Sequence, residues 1–182
     1  MTTTSNTPPA LVRYTPEKDG VDHINIGPDA RTELGRKLAH FTEARFIHEY
    51  LGHFDSMEGF WHFVKAATPD DRLRHMSGKA AYTYGRTLPA VRRQHFQAII
   101  QDGNYSKIDQ NPDIKALLID STLPFTQYYA WGPQNVLINP KTAPWLIRDF
   151  EELRDIFKDG EEMDLLPFED YQKIIVPRRS TK

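Results

Sequence analysis

One segment decides the fold: Phe54-Asp55-Ser56-Met57-Glu58-Gly59-Phe60-Trp61-His62-Phe63-Val64-Lys65. It predicts the start of a helix, because Asp55 or Ser56 can accept a hydrogen bond from an unpaired backbone N–H of the first turn. Apolar residues cover much of the helix surface, namely Phe60, Phe63 and Val64. We therefore expect a central helix that is mostly shielded from water.

The same helix carries a polar face. Its members stand at positions i, i+3, i+4 and i+7, so they project to one side; they are Glu58, Trp61, His62 and Lys65. A carboxylate, an imidazole and an amine are costly to bury unless they are paired. Two interpretations are open: a salt bridge from Glu58 to His62 or Lys65 above a core contact by Trp61, or a functional site.

Length and composition indicate a single domain. A chain of 182 residues buries roughly 70% of its unfolded surface, so it needs no covalent staple. The net charge of −2 argues against a general polyanion binder. The absence of cysteine excludes disulfides, thiolate zinc sites and cysteine nucleophiles. No long apolar run and no signal peptide is evident, so we expect a cytoplasmic protein without a membrane partner.

The chain order predicts an α+β, mainly helical domain with a few short strands. Residues 1–20 are expected to form a flexible arm, residues 21–160 the domain, and residues 161–182 a C-terminal helix or arm with a basic tail. Short strands are expected over 21–26, 46–54, 125–131 and 136–138. Helices are expected within 30–41, 55–68, 69–86, 89–103, 112–119 and 144–157.

The common metal and cofactor motifs do not occur. His48 and His53 are one residue too far apart for the helical zinc motif, and on a strand they would face opposite sides. Three further histidines lie alone in the sequence: His40, His75 and His95. The G-x-S-x-G elbow, the P-loop and G-x-G-x-x-G are also missing. We therefore expect no metal and no cofactor.

Two more segments combine aromatic and polar residues. Tyr82-x-Tyr84-Gly85-Arg86 ends a predicted helix, where Arg86 either binds phosphate or carboxylate, or caps the helix and complements its dipole. Gln127-Tyr128-Tyr129-Ala130-Trp131-Gly132 is dense in flat rings. These rings either stack on a base or an isoalloxazine-like ring, or form a buried aromatic strand.

Together these segments resemble the NADAR superfamily, which includes riboflavin-intermediate N-glycosidases and hydrolases that remove ADP-ribose from guanine. The family pattern runs from a Leu-Ser-Asn-Phe-like segment to Thr-Val-Glu-His-Tyr-x-Gln-Ala-x-Lys-Phe, then Gly-Arg, then Trp-Gly. The matching segments here are Leu38-Ala39-His40-Phe41, residues 56–66, Gly85-Arg86 and Trp131-Gly132. Glu58 and Lys65 keep the family's spacing of seven. The likeness spans about residues 22–157 and rests on the order and spacing of the motifs.

The chain also departs from the family pattern. The usual Ser-Asn is Ala39-His40, the histidine after the glutamate is Gly59, and Gln-Ala is His62-Phe63. An aspartate commonly stands three residues before Trp-Gly, where this chain has Tyr128. The resemblance is therefore to a divergent branch.

The resemblance implies a set of roles. Cleavage of an N-glycosidic bond builds oxocarbenium character at the sugar. A carboxylate can stabilise this positive charge or activate the attacking water, and Glu58 is the candidate for this role. Lys65 is the candidate for an amine nucleophile that forms an imine with the opened sugar, or for a proton donor to the leaving base. Arg86 is expected to hold a phosphate. Trp61, Tyr129 and Trp131 are expected to stack on the base, and the predicted substrate-binding set is completed by Gly132, His40 and His62.

The expected function is therefore that of an N-glycosidase acting on a ribosylated base or an ADP-ribosyl adduct. The expected partner is a small-molecule nucleotide or an ADP-ribosylated substrate, ADP-ribosylated nucleic acid included. Two other classes remain open. A module that binds an ADP-ribose-like nucleotide without turnover is favoured by the Tyr128 departure. A structural or interaction protein is favoured by the polar start and basic end.

Overall fold

The computed structural model describes residues 14–131 and 136–175. The α-helices within these ranges are α1 (Glu33–Leu38), α2 (Met57–Lys65), α3 (Gly78–Gly85), α4 (Phe96–Asp109), α5 (Pro112–Asp120), α6 (Ala143–Asp159) and α7 (Phe168–Ile175). The strands are β1 (Ile24–Asn25), β2 (Glu43–His48), β3 (Gly52–Ser56), β4 (Phe125–Thr126), β5 (Tyr129–Trp131) and β6 (Val136–Ile138). Short 3-10 helices cover Pro16–Lys18 and Asp71–His75. Among the helices of these two ranges, none has the length and apolar character needed to cross a membrane.

The strands pair two by two. β1 and β4 are parallel, with Ile24 opposite Phe125. β2 and β3 form an antiparallel hairpin with Phe46 opposite Phe54, and β5 pairs antiparallel with β6. Several helices around small sheets form the mainly helical α+β architecture that the sequence predicts.

Apolar side chains pack in two clusters. The first lies among β1, β4, α1, α5 and α6 and includes the buried Leu38 and Leu153. The second lies among the β2–β3 hairpin, α2, α4 and α7 and includes the buried Phe54 and Phe60. Trp145 packs against both clusters. The apolar side of α2 is thereby fixed in the second cluster.

The beginning of α2 follows the sequence prediction. β3 runs directly into the helix, and the Ser56 hydroxyl accepts a hydrogen bond from the Gly59 N–H at 3.1 Å. Gly59 also explains one departure from the family pattern, because a Cβ at this position would overlap the carbonyl oxygen of Leu73. A histidine side chain cannot fit there while the 3-10 helix Asp71–His75 packs this closely on α2.

The helix predicted from Pro89 begins later, at Phe96, so this part of the prediction is wrong. Residues 89–91 instead pair with the end of α2: the Ala67 N–H donates to the Pro89 carbonyl, and the Val91 N–H donates to the Lys65 carbonyl. Val91 lies in this paired segment and is 37% exposed. Long-range backbone pairing outweighs the local helix signal of a proline at the first position.

Two glycines lie where the structure differs from the predicted elements. The strand predicted over 46–54 is a hairpin that turns at residues 49–51, and Gly52 follows the turn with a φ of +77°. The helix expected within 89–103 continues beyond that range, and Gly103 lies inside α4, where a Cβ would overlap the ring of Phe60. Glycine at this position lets α4 pack closely on α2.

Segments outside the predicted limits of 21–160 pack on the domain. Asp19 is 6% exposed, and its carboxylate accepts hydrogen bonds from the N–H groups of Asn25 and Arg31 at 2.9 and 2.6 Å. In α7 the buried Tyr171 donates its hydroxyl proton to Asp102. The limits at 20 and 160 remain predictions, and most of the predicted arm and the basic tail fall at 1–13 and 176–182, outside the described residues.

The Asp19 contacts give a test of the limit at residue 20. Asp19→Ala leaves two backbone N–H groups without their acceptor, which costs about 1–3 kcal/mol. We expect Tm to fall by roughly 3–10 °C in a thermal unfolding experiment. Glu17→Ala removes an exposed carboxylate from the same segment and is expected to leave Tm unchanged. Equal Tm values for both variants and the wild type would place this segment outside the cooperative unit.

Candidate active site

A cleft of about 600 Å³ opens along the polar face of α2. Every predicted site residue whose side chain the structure describes lines it: His40, Glu58, Trp61, His62, Lys65, Arg86 and Tyr129. The Trp131 side chain and Gly132 lie outside the described residues. The roles assigned to all of these residues remain predictions.

Distant parts of the chain build the cleft. α2 supplies one wall, and residues 39–41, which follow α1, supply the next. The end of α3 contributes Tyr82 and Arg86. Residues 127–129, around the start of β5, and Leu146 of α6 complete the lining. The cleft therefore forms only when segments from the first and the last third of the described chain pack around α2.

Glu58 is a buried carboxylate in the first turn of α2. It is 8% exposed, and its Oε1 lies 3.1 Å from the His62 Nε2. Its backbone N–H donates to the carbonyl of His40 at 2.9 Å. The helix dipole favours a negative charge at this end. The bond to His62 is one of the pairings left open by the sequence, and it fixes the orientation of the carboxylate in the cleft.

Lys65 stands two turns further along the same face. Its side chain is exposed and lines the cleft. Within the described residues the Lys65 amine makes no hydrogen bond or ion pair. Glu58 therefore pairs with His62 and not with Lys65. The cleft thus combines a fixed carboxylate with a free amine.

His40 is a neutral imidazole in the wall of the cleft. Burial, together with the positive charge of Lys107, lowers the pKa of His40 to about 3. Its Nε2 is buried and has no hydrogen-bond partner among the described residues. At neutral pH the ring can donate or accept one further hydrogen bond, but it does not carry a positive charge.

Lys107 holds the chain that leads to His40. Its buried amine donates hydrogen bonds to the carbonyls of Lys37, Leu38 and Ala39, which end α1. Burial lowers the pKa of Lys107 to about 7. Lys107 therefore acts on the cleft indirectly, by fixing the backbone before His40.

The lowered pKa of Lys107 predicts a pH dependence of stability. Between pH 7 and 10.5 the unfolded chain binds more protons at this amine than the folded chain, so stability rises with pH. From pH 7 to pH 9 we expect the wild type to gain about 2 kcal/mol over Lys107→Met. Urea unfolding of both proteins at the two pH values measures this difference. A difference that does not change with pH would contradict a buried amine with a lowered pKa.

Trp61 forms a wall of the cleft rather than an open stacking surface. Its indole stacks on Trp145 with ring centroids 5.8 Å apart, and Phe96 packs edge-on at 4.9 Å. Tyr129 is 45% exposed and also lines the cleft. Among the described residues, Tyr129 is therefore the better candidate for stacking on a planar ring.

Arg86 occupies a position compatible with both interpretations that the sequence left open. It is the C-cap residue of α3 and also lines the cleft. Its Nη1 donates to the Tyr82 hydroxyl at 2.7 Å, and its guanidinium lies over the Tyr82 ring. The guanidinium is held at the cleft edge by a neutral group, so it can still bind an anion.

Tyr128 has a structural role at the position where the family commonly has an aspartate. Its hydroxyl is hydrogen-bonded to the His23 Nε2 at 2.8 Å. Asn25 accepts from the Tyr128 N–H and donates to its carbonyl. Burial raises the pKa of Tyr128 to about 12. The tyrosine joins β1 to the segment between β4 and β5, and it carries no negative charge into the cleft.

Gln127 is a site residue that sequence reasoning missed. It lines the cleft, and its Oε1 is buried without a hydrogen-bond partner among the described residues. The Asn139 amide fixes its backbone by donating to the Gln127 carbonyl at 2.7 Å. The available signal was a polar residue at the start of an aromatic run. Gln127 therefore adds a neutral amide to the lining of the cleft.

Gly85 sets the position of His62. A Cβ on Gly85 would overlap the imidazole ring of His62. Gly85→Ala is therefore expected to displace His62 from Glu58 and to lower both Tm and any turnover of the cleft. Thr83→Ala changes an exposed residue of the same helix and serves as the matched control. Measuring both quantities on the two variants tests this packing, and a Gly85→Ala protein equal to Thr83→Ala would contradict it.

The arrangement of helices and small sheets is a NADAR-like fold, in a divergent form, as the sequence predicts. The E. coli protein YbiA, a NADAR family member known from an NMR structure, is similar to the chain with a TM-score of 0.56. The match covers 78% of this chain and 89% of YbiA at 16% sequence identity, so it shows a shared fold. No protein-family model and no curated protein matches the sequence.

Proposed function

We propose that the chain is an N-glycosidase that hydrolyses the N-glycosidic bond of a ribosylated base or an ADP-ribosyl adduct. The observation that supports this most strongly is the buried Glu58 carboxylate, oriented by His62 in a cleft of about 600 Å³. The free amine of Lys65 stands on the same helix face. The cleft volume is in the range of small-molecule sites.

Glu58 is proposed to act on the sugar. One of its oxygens is bonded to His62, and the other makes no hydrogen bond within the described residues. As the bond between C1′ and the base nitrogen breaks, positive charge grows at C1′ and the ring oxygen. The carboxylate stabilises this charge and accepts a proton from the attacking water. The water oxygen bonds to C1′ as the bond to the base nitrogen breaks, and the proton that the leaving nitrogen needs comes from the Lys65 ammonium or from solvent.

Lys65 is proposed to act in one of two ways. As a nucleophile, its neutral amine bonds to C1′ as the bond to the base breaks; the amine gives up a proton to Glu58, and the base takes one from solvent. Cleavage of the bond between C1′ and the ring oxygen, which takes up a proton, then gives an imine that water hydrolyses. As an acid, its ammonium donates a proton to the leaving base nitrogen. Only the first route forms a covalent bond between the protein and the sugar, so chemical trapping of that bond distinguishes the two routes.

The remaining lining residues suit a nucleotide. Tyr129 offers an aromatic face, and the side chains of His40 and Gln127 add neutral polar groups to the lining of the cleft. Arg86 offers a guanidinium for a phosphate. The imidazole and the amide are both neutral, so this part of the lining suits an uncharged base better than an ion.

A second candidate function is nucleotide binding without turnover. Tyr128 favours it, because this residue replaces the family's aspartate and is tied to His23 and Asn25. The cleft would then bind an ADP-ribose-like ligand but would lack one acidic group for chemistry. A structural or interaction protein predicts neither binding nor turnover.

The test combines turnover and binding on one preparation. ADP-ribosylated guanosine and a phosphorylated ribosylaminopyrimidine are incubated with the protein, and free base is quantified by liquid chromatography. Calorimetry with ADP-ribose measures binding in parallel. Release of free base with an equal amount of sugar is the expected result. Binding of ADP-ribose without product from either substrate would leave only the binding module, and the absence of both would overturn the proposed function.

A further inference from the structure

A second group of polar side chains lies outside the lining of the candidate cleft. His53, Asp55 and His75 bring their potential ligand atoms within 4.8 Å of one another. The His53 Nε2 lies 2.7 Å from the Asp55 Oδ1, and the His75 Nδ1 lies 3.9 Å from the Asp55 Oδ2. His75 lies alone in the sequence, 22 positions after His53. The fold brings the two rings to a centroid distance of 5.7 Å, so His75 does not stand alone in the structure.

The backbone holds these three residues in place independently of their side chains. His53 and Asp55 are alternate residues of β3, so both point to one face. His75 ends the 3-10 helix Asp71–His75, and three hydrogen bonds fix this segment beside the β2–β3 hairpin. The Ser56 hydroxyl donates to the Met76 carbonyl at 2.8 Å, and the Arg74 guanidinium donates to the carbonyls of Leu51 and His53.

We propose that His53, Asp55 and His75 bind a divalent transition-metal ion of the zinc type. Two imidazoles and one carboxylate form a donor set typical of zinc, whereas calcium and magnesium prefer oxygen donors alone. Ligand atoms that each lie roughly 2.0–2.2 Å from a tetrahedral ion are about 3.3–3.5 Å apart. The His75 Nδ1 lies 3.9 Å from the Asp55 Oδ2, and the three ligand atoms all lie within 4.8 Å of one another, so side-chain rotations must bring them closer around the ion.

The surroundings of Asp55 are compatible with this role. The Arg45 Nε lies 3.3 Å from the Asp55 Oδ1. A guanidinium bonded to one carboxylate oxygen leaves the other oxygen for the ion and orients the ligand, as outer contacts of metal sites do. His75 is exposed at its edge of the cluster, so water can reach the ion and complete its coordination.

The bound ion has a structural consequence. It would join β3 to the 3-10 helix Asp71–His75, and both segments contact the first turn of α2. Asp55 stands three residues before Glu58. The ion therefore stabilises the part of the fold that positions Glu58, although its ligands do not line the cleft.

The experiment uses the full chain without an affinity tag, stripped with EDTA and then dialysed. Calorimetric titration with zinc chloride is expected to give one site per chain. Because the ion binds the folded state, Tm is expected to rise by roughly 5–10 °C at a zinc concentration about 100-fold above Kd. His53→Ala and His75→Ala are each expected to weaken zinc binding by at least about tenfold.

The matched control is His95→Asn. His95 is another half-exposed histidine near a carboxylate, with its Nε2 3.8 Å from the Asp170 Oδ1. Asparagine is chosen because His95 has a φ of 57°, which asparagine tolerates. This variant should bind zinc as the wild type does. His75 is 69% exposed at its side chain, so His75→Ala should remain folded even if His53→Ala does not.

Two results would overturn the metal site. One is the absence of stoichiometric zinc binding and of any rise in Tm in the wild type, which would leave a hydrogen-bonded His53–Asp55 pair with no ion. The other is unchanged zinc affinity in folded His75→Ala. Neither result bears on base release by the cleft, so the metal site and the proposed function can fail separately.

Discussion

Glu58→Gln is expected to lower turnover about a hundredfold or more, which is the usual scale for the loss of an acid–base group. Glutamine keeps the shape of the side chain and one hydrogen bond to His62, but it removes the negative charge. Nucleotide binding should survive, because Tyr129, Gln127 and Arg86 are unchanged. Turnover, ligand binding and Tm are to be measured on the same samples.

The matched control is Glu161→Gln, which changes an exposed carboxylate and should leave all three quantities unchanged. If the Glu58–His62 pair is only structural, a different result is expected for Glu58→Gln. Tm would then fall, and activity would decline only in proportion to the folded fraction. A stable Glu58→Gln protein with near wild-type turnover would remove Glu58 from the catalytic set.

Lys65→Met is expected to abolish turnover if the reaction passes through an imine. Methionine keeps much of the unbranched stem but removes the amine, and Lys65 makes no ion pair in the described residues whose loss would unfold the protein. Borohydride added during turnover should reduce the imine to a stable secondary amine. Mass spectrometry should then find one sugar added to the wild type and none to Lys65→Met.

Lys79→Met provides the control for this experiment, because Lys79 is an exposed lysine of α3 that does not line the cleft. It should be trapped as the wild type is. Slower turnover in Lys65→Met without a trapped wild-type adduct would assign Lys65 the role of proton donor instead. Unchanged turnover in folded Lys65→Met would exclude both roles.

Local periodicity predicted the central helix well. Ser56 caps α2 as expected, since a cap depends only on neighbouring residues. The four polar residues of α2 share one face for the same reason, and the structure places them along one cleft. Their chemistry remains a prediction, because a shared face fixes direction but not function.

Features that depend on distant contacts could not be predicted in this way. The neutral state of His40 follows from burial and from Lys107, which lies far away in the sequence. The loss of an open face on Trp61 follows from Trp145 of α6. The unpartnered Oε1 of Gln127 is visible only once its neighbours are in place. Each of these properties arises when separate elements pack together.

The most direct test of the N-glycosidase proposal is a single-turnover assay with protein in excess over ADP-ribosylated guanosine or phosphorylated ribosylaminopyrimidine. Free base and released sugar are quantified over time for the wild type and for Glu58→Gln. The proposal predicts that the wild type converts one of these substrates completely into equal amounts of base and sugar. Glu58→Gln should bind the same substrate but release base at least about a hundredfold more slowly. Substrate that stays bound and intact on the wild type would contradict an N-glycosidase.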